Sequence, residues 1–189
     1  MVQSGRDHMV ETDKLTTGLR SIAGCIIDRI GLLIWPDERG PNETDVRLYL
    51  ELGRLGEAAI DVVIGTSSDG QTPTVEFEHV DGGRPLSELE NRRLEWARDG
   101  FWESKAFASS ELFFASPGAH CDLCTFCGQE ILHVFVVRFA HDDNVPTGVV
   151  LEIENGSRLW SIPSAYGNSV KTEMPDDWWP DPIRLCRVA

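Results

Sequence analysis

The sequence predicts an α+β fold: a mainly antiparallel sheet of about six strands with two helices packed on it. This forms a single domain over residues 13–189, preceded by a flexible leader over residues 1–12. Apolar residues recur at helical spacing in two segments, which gives the helices. Between turn signals, other runs alternate apolar and polar residues, which gives strands. Asn155-Gly156 stands between two such runs, the short-range signature of a hairpin.

The first helix is read over residues 13–31. Leu15, Leu19, Ile22, Ile26, Ile30 and Leu33 recur at steps of three or four and fall on one helical face. Thr12 or Asp13 supplies an oxygen for its N-terminal amides. Gly18, Gly24 and Gly31 weigh against it, each costing about 1 kcal/mol relative to alanine in a helix interior. Gly31-Leu32-Leu33-Ile34-Trp35 before Pro36 also reads as a short strand. The second helix is expected over residues 87–99. Ser87 and Glu90 stand at the spacing of a reciprocal cap, and Leu89, Arg93 and Trp96 share a face.

Val46, Leu48, Leu50 and Leu52 alternate with Arg47, Tyr49 and Glu51, the period of a strand with one wet face. Residues 59–65 and 74–80 follow after short turns, so the three make a meander. Residues 131–139 are apolar on both faces and belong inside a sheet covered on both sides. After a loop over residues 141–147, residues 149–154 and 157–162 form the hairpin around Asn155-Gly156. The proline-rich tail over residues 174–182 wraps the surface and inserts one tryptophan.

With 189 residues, 41% of them hydrophobic and 25% charged, the chain can bury one core. It has no apolar run of the ~18 residues that a membrane span needs, and no apolar signal core near Met1, so a cytoplasmic protein is expected. A formal charge of −14 repels phosphate backbones, which excludes nucleic acid as the expected partner. The same field attracts a basic protein and speeds its association.

Five cysteines, an odd number, fit a reducing compartment better than a disulfide framework. Three of them fall in His120-Cys121-Asp122-Leu123-Cys124-Thr125-Phe126-Cys127. A Cys-x-x-Cys turn supplies two corners of a zinc tetrahedron, and Cys121, Cys124, Cys127 and His120 are the candidate ligands. His133, His141, Cys25 or Cys186 would complete a set that the loop leaves short. An iron and sulfur cluster lacks the fourth cysteine of the usual run. A dithiol redox centre wants its first cysteine at a helix N-terminus, whereas here a glycine and a strand follow.

His141 beside Asp142 and Asp143 could serve a divalent ion or a hydrolase. Asp61, Glu76 and Glu78 could gather as a carboxylate cluster, although no lysine accompanies them. The chain has no nucleophile elbow, phosphate loop or dinucleotide-binding turn. The expectation is therefore a non-enzymatic acidic binding protein with no cofactor, which engages and inhibits a basic protein in the manner of an immunity protein or antitoxin. Asp176, Asp177, Trp178, Trp179 and Asp181 are its candidate contacts, because tryptophans anchor interfaces and acids steer. The other expectation is a zinc-binding protein organised by the cysteine loop.

Overall fold

The alternating segments do form strands, but they divide between two sheets. The computed structural model describes residues 4–37, 40–67, 72–98, 110–115, 121–139, 142–164, 167–174 and 183–189. The elements are α1 (Ser4–Ile22), β1 (Ile26–Asp37), β2 (Gly40–Gly53), β3 (Ile60–Thr66), β4 (Pro73–Glu76), β5 (Arg84–Pro85), α2 (Leu89–Arg98), β6 (Glu111–Phe114), β7 (Ile131–Phe139), β8 (Asp142–Ile153), β9 (Arg158–Ser164), β10 (Gly167–Lys171) and β11 (Ile183–Arg187).

A six-stranded sheet in the order β4-β3-β2-β1-β6-β5 packs against a five-stranded sheet in the order β10-β9-β8-β7-β11. Pairing is antiparallel except between β5 and β6. The single sheet of about six strands is thus corrected to two sheets. The physical reason is that alternation fixes which side of a strand is buried without fixing what covers it. Leu48, Leu50 and Leu52 of β2 face Val134 and Val136 of β7 and Leu151 of β8 in one core, which α1 joins through Leu15, Leu19 and Ile22.

The first helix also needs correction: it begins at Ser4, inside the stretch read as leader, and ends at Ile22. Gly24 takes φ +77°, the left-handed conformation that closes a helix. Its amide bonds Ile131 O at 2.8 Å, while Ile131 N bonds Cys25 O at 2.9 Å, which draws the chain into strand pairing. Beyond it the β-branched run of isoleucines favours β1. A bulge between Ile27 and Arg29 puts two side chains three apart, Ile27 and Ile30, both on the buried face, and so imitates a helical step.

Elsewhere the sequence reading holds more closely. The meander is β2-β3-β4, although β4 ends at Glu76 and not at residue 80, and the face of β2 expected to be wet is partly covered, since Tyr49 is buried. A 3-10 turn, Leu86–Glu88, precedes α2 and contains Ser87, so the helix starts two residues after the position read as its cap. Leu89 packs with Ile34 and Phe113. The β8–β9 hairpin pairs Leu151 with Leu159, and only Gly156 of its turn has positive φ; Asn155 Oδ1 instead accepts from Ser157 N at 2.8 Å. β8 begins at Asp142, within the segment read as a loop. Pro146 sits there at a register shift opposite Arg138, where its missing N–H is tolerated.

One polar side chain ties the sheets together. Asn168, buried on β10, donates to Val46 O of β2 at 2.7 Å and to Ser161 Oγ of β9 at 3.0 Å. Asn168→Ala leaves both acceptors without that donor and is expected to cost about 1–3 kcal/mol in chemical denaturation, with no change of fold by circular dichroism.

Candidate functional site

The cysteine segment is built into the sandwich as packing. Residues 122–126 form a 3-10 turn that buries Leu123 and Phe126 in the main core. The chain then runs along the lower half of β1: Gly128 N bonds Ile27 O at 2.7 Å, Ile27 N bonds Gln129 O at 3.0 Å, and Ile26 bridges Glu130. β6 covers the same edge of β1 over Gly31–Ile34 only, so this segment completes the edge and carries the chain across into β7. All three thiols are half-buried and pack on the core.

Two of the three sulfurs meet. The Cys124 thiol points at Cys121 Sγ across 3.1 Å. Cys127 instead accepts from the backbone amide of Ile30, while burial pushes its thiol up. Desolvation and the adjacent Cys121 push Cys124 up to about 11, so at neutral pH it is a thiol. Thiolates about 2.3 Å from one tetrahedral ion stand ~3.8 Å apart, so Cys121 and Cys124, at 3.1 Å, are closer than such an ion would hold them. Among the described residues no group of three His, Cys, Asp or Glu is arranged to hold a metal. His120 and His141 lie outside the described residues. Cys25 is buried with its thiol toward Ser21 O, Cys186 sits on β11 opposite Val136, and His133 packs edge-on to Phe135.

The carboxylates expected to gather do not. Asp61 accepts from Tyr49 Oη at 2.7 Å and pairs with His79 Nδ1, whose Nε2 meets Asp81 Oδ1 at 2.9 Å. Glu76 turns to Arg47 at 3.8 Å, and Glu78 is exposed beyond the end of β4. This chain pins the segment after β4 over the outer face of the first sheet, where Tyr49, Leu33, Val63 and Phe114 cluster with Val80. Burial, with the bond to Asp61 second, holds the Tyr49 phenol well above its usual range.

The bonds to Asp61 and Asp81 raise the His79 pKa above 6.5. The imidazolium pairing is therefore complete below 6.5 and is lost as pH rises through the raised value. An NMR titration of His79 is expected to give a midpoint above 6.5 that Asp61→Asn lowers. A midpoint at or below 6.5 contradicts the pairing.

A different surface lies at the end of the sandwich where β1 starts, β2 ends and β3 starts. Leu55, between Gly53 and Gly56 in the β2–β3 connection, is fully exposed. The connection is held from behind: Arg54 Nη2 donates to Ser21 O and Ala23 O, both at 3.1 Å, which satisfies carbonyls at the C-terminus of α1. Ile26 and Ile60, on the strands that flank Gly53 and Leu52, are exposed too, and so is Leu132 beyond Glu130. Asp28 of β1 and Glu57 of the connection are exposed, as is Glu154 in the β8–β9 turn, and Glu130 is half-buried. Ile60 shares the core-side face with its partner Leu52 and Ile26 lies on the opposite face, so Leu55 itself is the apolar tip, held from behind by Arg54 and with acidic neighbours.

Sequence reasoning missed this surface. Its one signal was an apolar residue placed in a Gly-Arg-Leu-Gly turn, where nothing local requires leucine. The predicted contacts Asp176, Asp177, Trp178, Trp179 and Asp181 lie outside the described residues. Asp142 and Asp143 open β8. No helix among the described residues is long and apolar enough to cross a membrane. Compared with known proteins, the chain matches no family model, no curated protein and no solved structure.

Proposed function

We propose that the chain is a non-enzymatic docking protein for a basic protein partner, of the immunity or antitoxin kind, and that the strand-end surface around Leu55 makes the contact. The observation that carries this reading is Leu55 itself: a leucine left fully in water on a turn that Arg54 fastens to α1. An apolar side chain on a fixed base loses little freedom on binding, so more of its burial reaches the affinity. The net charge of −14 supplies the complement to a basic partner and speeds encounter.

The test is capture on the immobilised chain at low salt, followed by purification of the bound protein and measurement of its affinity at rising ionic strength. A stoichiometric partner rich in Lys and Arg, whose association slows steeply with salt, is the expected result. Binding indifferent to salt, or no stoichiometric partner, overturns the proposal.

A second reading, zinc held by the cysteine loop, draws support from the approach of Cys121 to Cys124. Elemental analysis of protein prepared without chelator decides it. One equivalent of zinc that Cys124→Ser abolishes supports the reading, and substoichiometric zinc that the substitution leaves unchanged removes it.

A further inference from the structure

An open cleft of about 390 Å³ lies where β6 ends, beside the bulge in β1 and under the Gly83-Arg84-Pro85 segment. It adjoins the Leu55 surface through Asp28, and it is unlike the rest of an acidic molecule, because two guanidinium groups, Arg29 and Arg84, line it along with Asp28, Phe114, Ala115 and Cys127. The geometry points to a binding site for a small organic anion, with an oxyanion head on an apolar body.

The donors are present and lightly used. Arg29 lies with its guanidinium 3.5 Å above the Phe114 ring and gives one N–H to Glu51 at 3.3 Å. Among the described residues Arg84 makes long ion pairs, 3.8 Å to Glu88 and 3.6 Å to Glu111. Glu111 is committed elsewhere, since both its oxygens accept from Arg92 at 2.9 and 3.0 Å. Both cleft arginines are half-exposed and keep further N–H groups for a ligand. A guanidinium fork matches the spacing of carboxylate or phosphate oxygens, which is why paired arginines select such heads.

The apolar body is provided for as well. Gly83 has φ +134°, and a Cβ there would stand 2.4 Å from Phe114, so only glycine lets this segment pass so close to the ring. Its passage leaves Pro85 beside the two charges, with the largely buried Phe114 and Ala115 behind it as the apolar floor. The volume lies in the range of small-molecule sites, roughly 300–1,000 Å³. Asp28 in the lining disfavours ligands that carry negative charge along their whole length and favours a single anionic head.

The test is titration of the full chain with phenylacetate, phenyl phosphate and, as the uncharged control, benzyl alcohol, followed by amide NMR of Gly83, Arg84, Phe114 and Ala115. Saturable shifts with at least one of the two anions, and none with benzyl alcohol, are expected; which anion binds tells carboxylate from phosphate recognition. Arg84→Gln and Arg29→Gln should each weaken binding about tenfold or more, with the amide spectrum otherwise folded. Equal binding of benzyl alcohol, affinity unchanged in Arg84→Gln, or no shift with either anion at millimolar concentration overturns the site. Because partner capture does not pass through these arginines, Arg84→Gln should leave it intact.

Discussion

Phe126→Ala is expected to destabilise the protein by about 3–5 kcal/mol, the largest effect of any single truncation in the cysteine segment. Phe126 is 1% exposed and lies among core residues drawn from α1, β1, β2 and β7. Its removal opens a cavity at the place where the chain passes from one sheet to the other, and the hydrogen bonds of Gly128 and Gln129 to Ile27 hold the backbone too firmly for it to collapse. Domains of this size are stable by ~5–15 kcal/mol, so the variant loses a large fraction of its margin. Urea denaturation measures the cost. If a metal instead organised this segment, chelator would lower the midpoint of the unchanged protein, and Phe126→Ala would add little once metal was gone.

Leu55→Asp is the second variant with a large expected effect, and on binding alone. The side chain is fully exposed, so folding stability should stay within about 0.5 kcal/mol of the parent. Placed at the centre of a partner interface, the same substitution buries a charge where a leucine anchored. It should weaken the complex by at least about 2 kcal/mol. Calorimetric titration against the captured partner gives the number, with Leu94→Asp as control. Leu94 is likewise exposed but belongs to α2, away from the strand ends. Equal loss in both variants would indicate a general effect of added negative charge and would count against the Leu55 surface.

The legible parts of the fold were those whose signal is local. Leu48, Leu50 and Leu52 show a strand by period alone, and Asn155-Gly156 marks a hairpin because its turn must close within four residues. The end of α1 was not legible. Ile22, Ile26, Ile30 and Leu33 keep a helical step across Gly24, and only the pairing of residues 24–27 with 129–131, more than a hundred positions away, decides for a strand. β5 and β6 have two and four residues and owe their existence to the neighbours they pair with. The division into two sheets is a property of which faces meet, which no alternation encodes.

The candidate sites divide the same way. The cysteine spacing was visible, but not that Cys124 would turn to Cys121 while the Ile30 amide donates to Cys127. Arg29, Arg84 and Phe114 come together from three segments of chain, so their cleft has no trace in any one stretch. Leu55 was visible as a residue and invisible as a surface, because its exposure depends on Arg54 reaching back to Ser21 and Ala23.

The docking account is tested most directly by hydrogen exchange on the chain free and in complex with its captured partner. Slowed exchange at residues 54–60, with residues 26–28 and 130–132 beside them and the rest of both sheets unchanged, is the predicted result. Protection confined to other surfaces, with the amides around Leu55 exchanging at the same rate in both states, would contradict it.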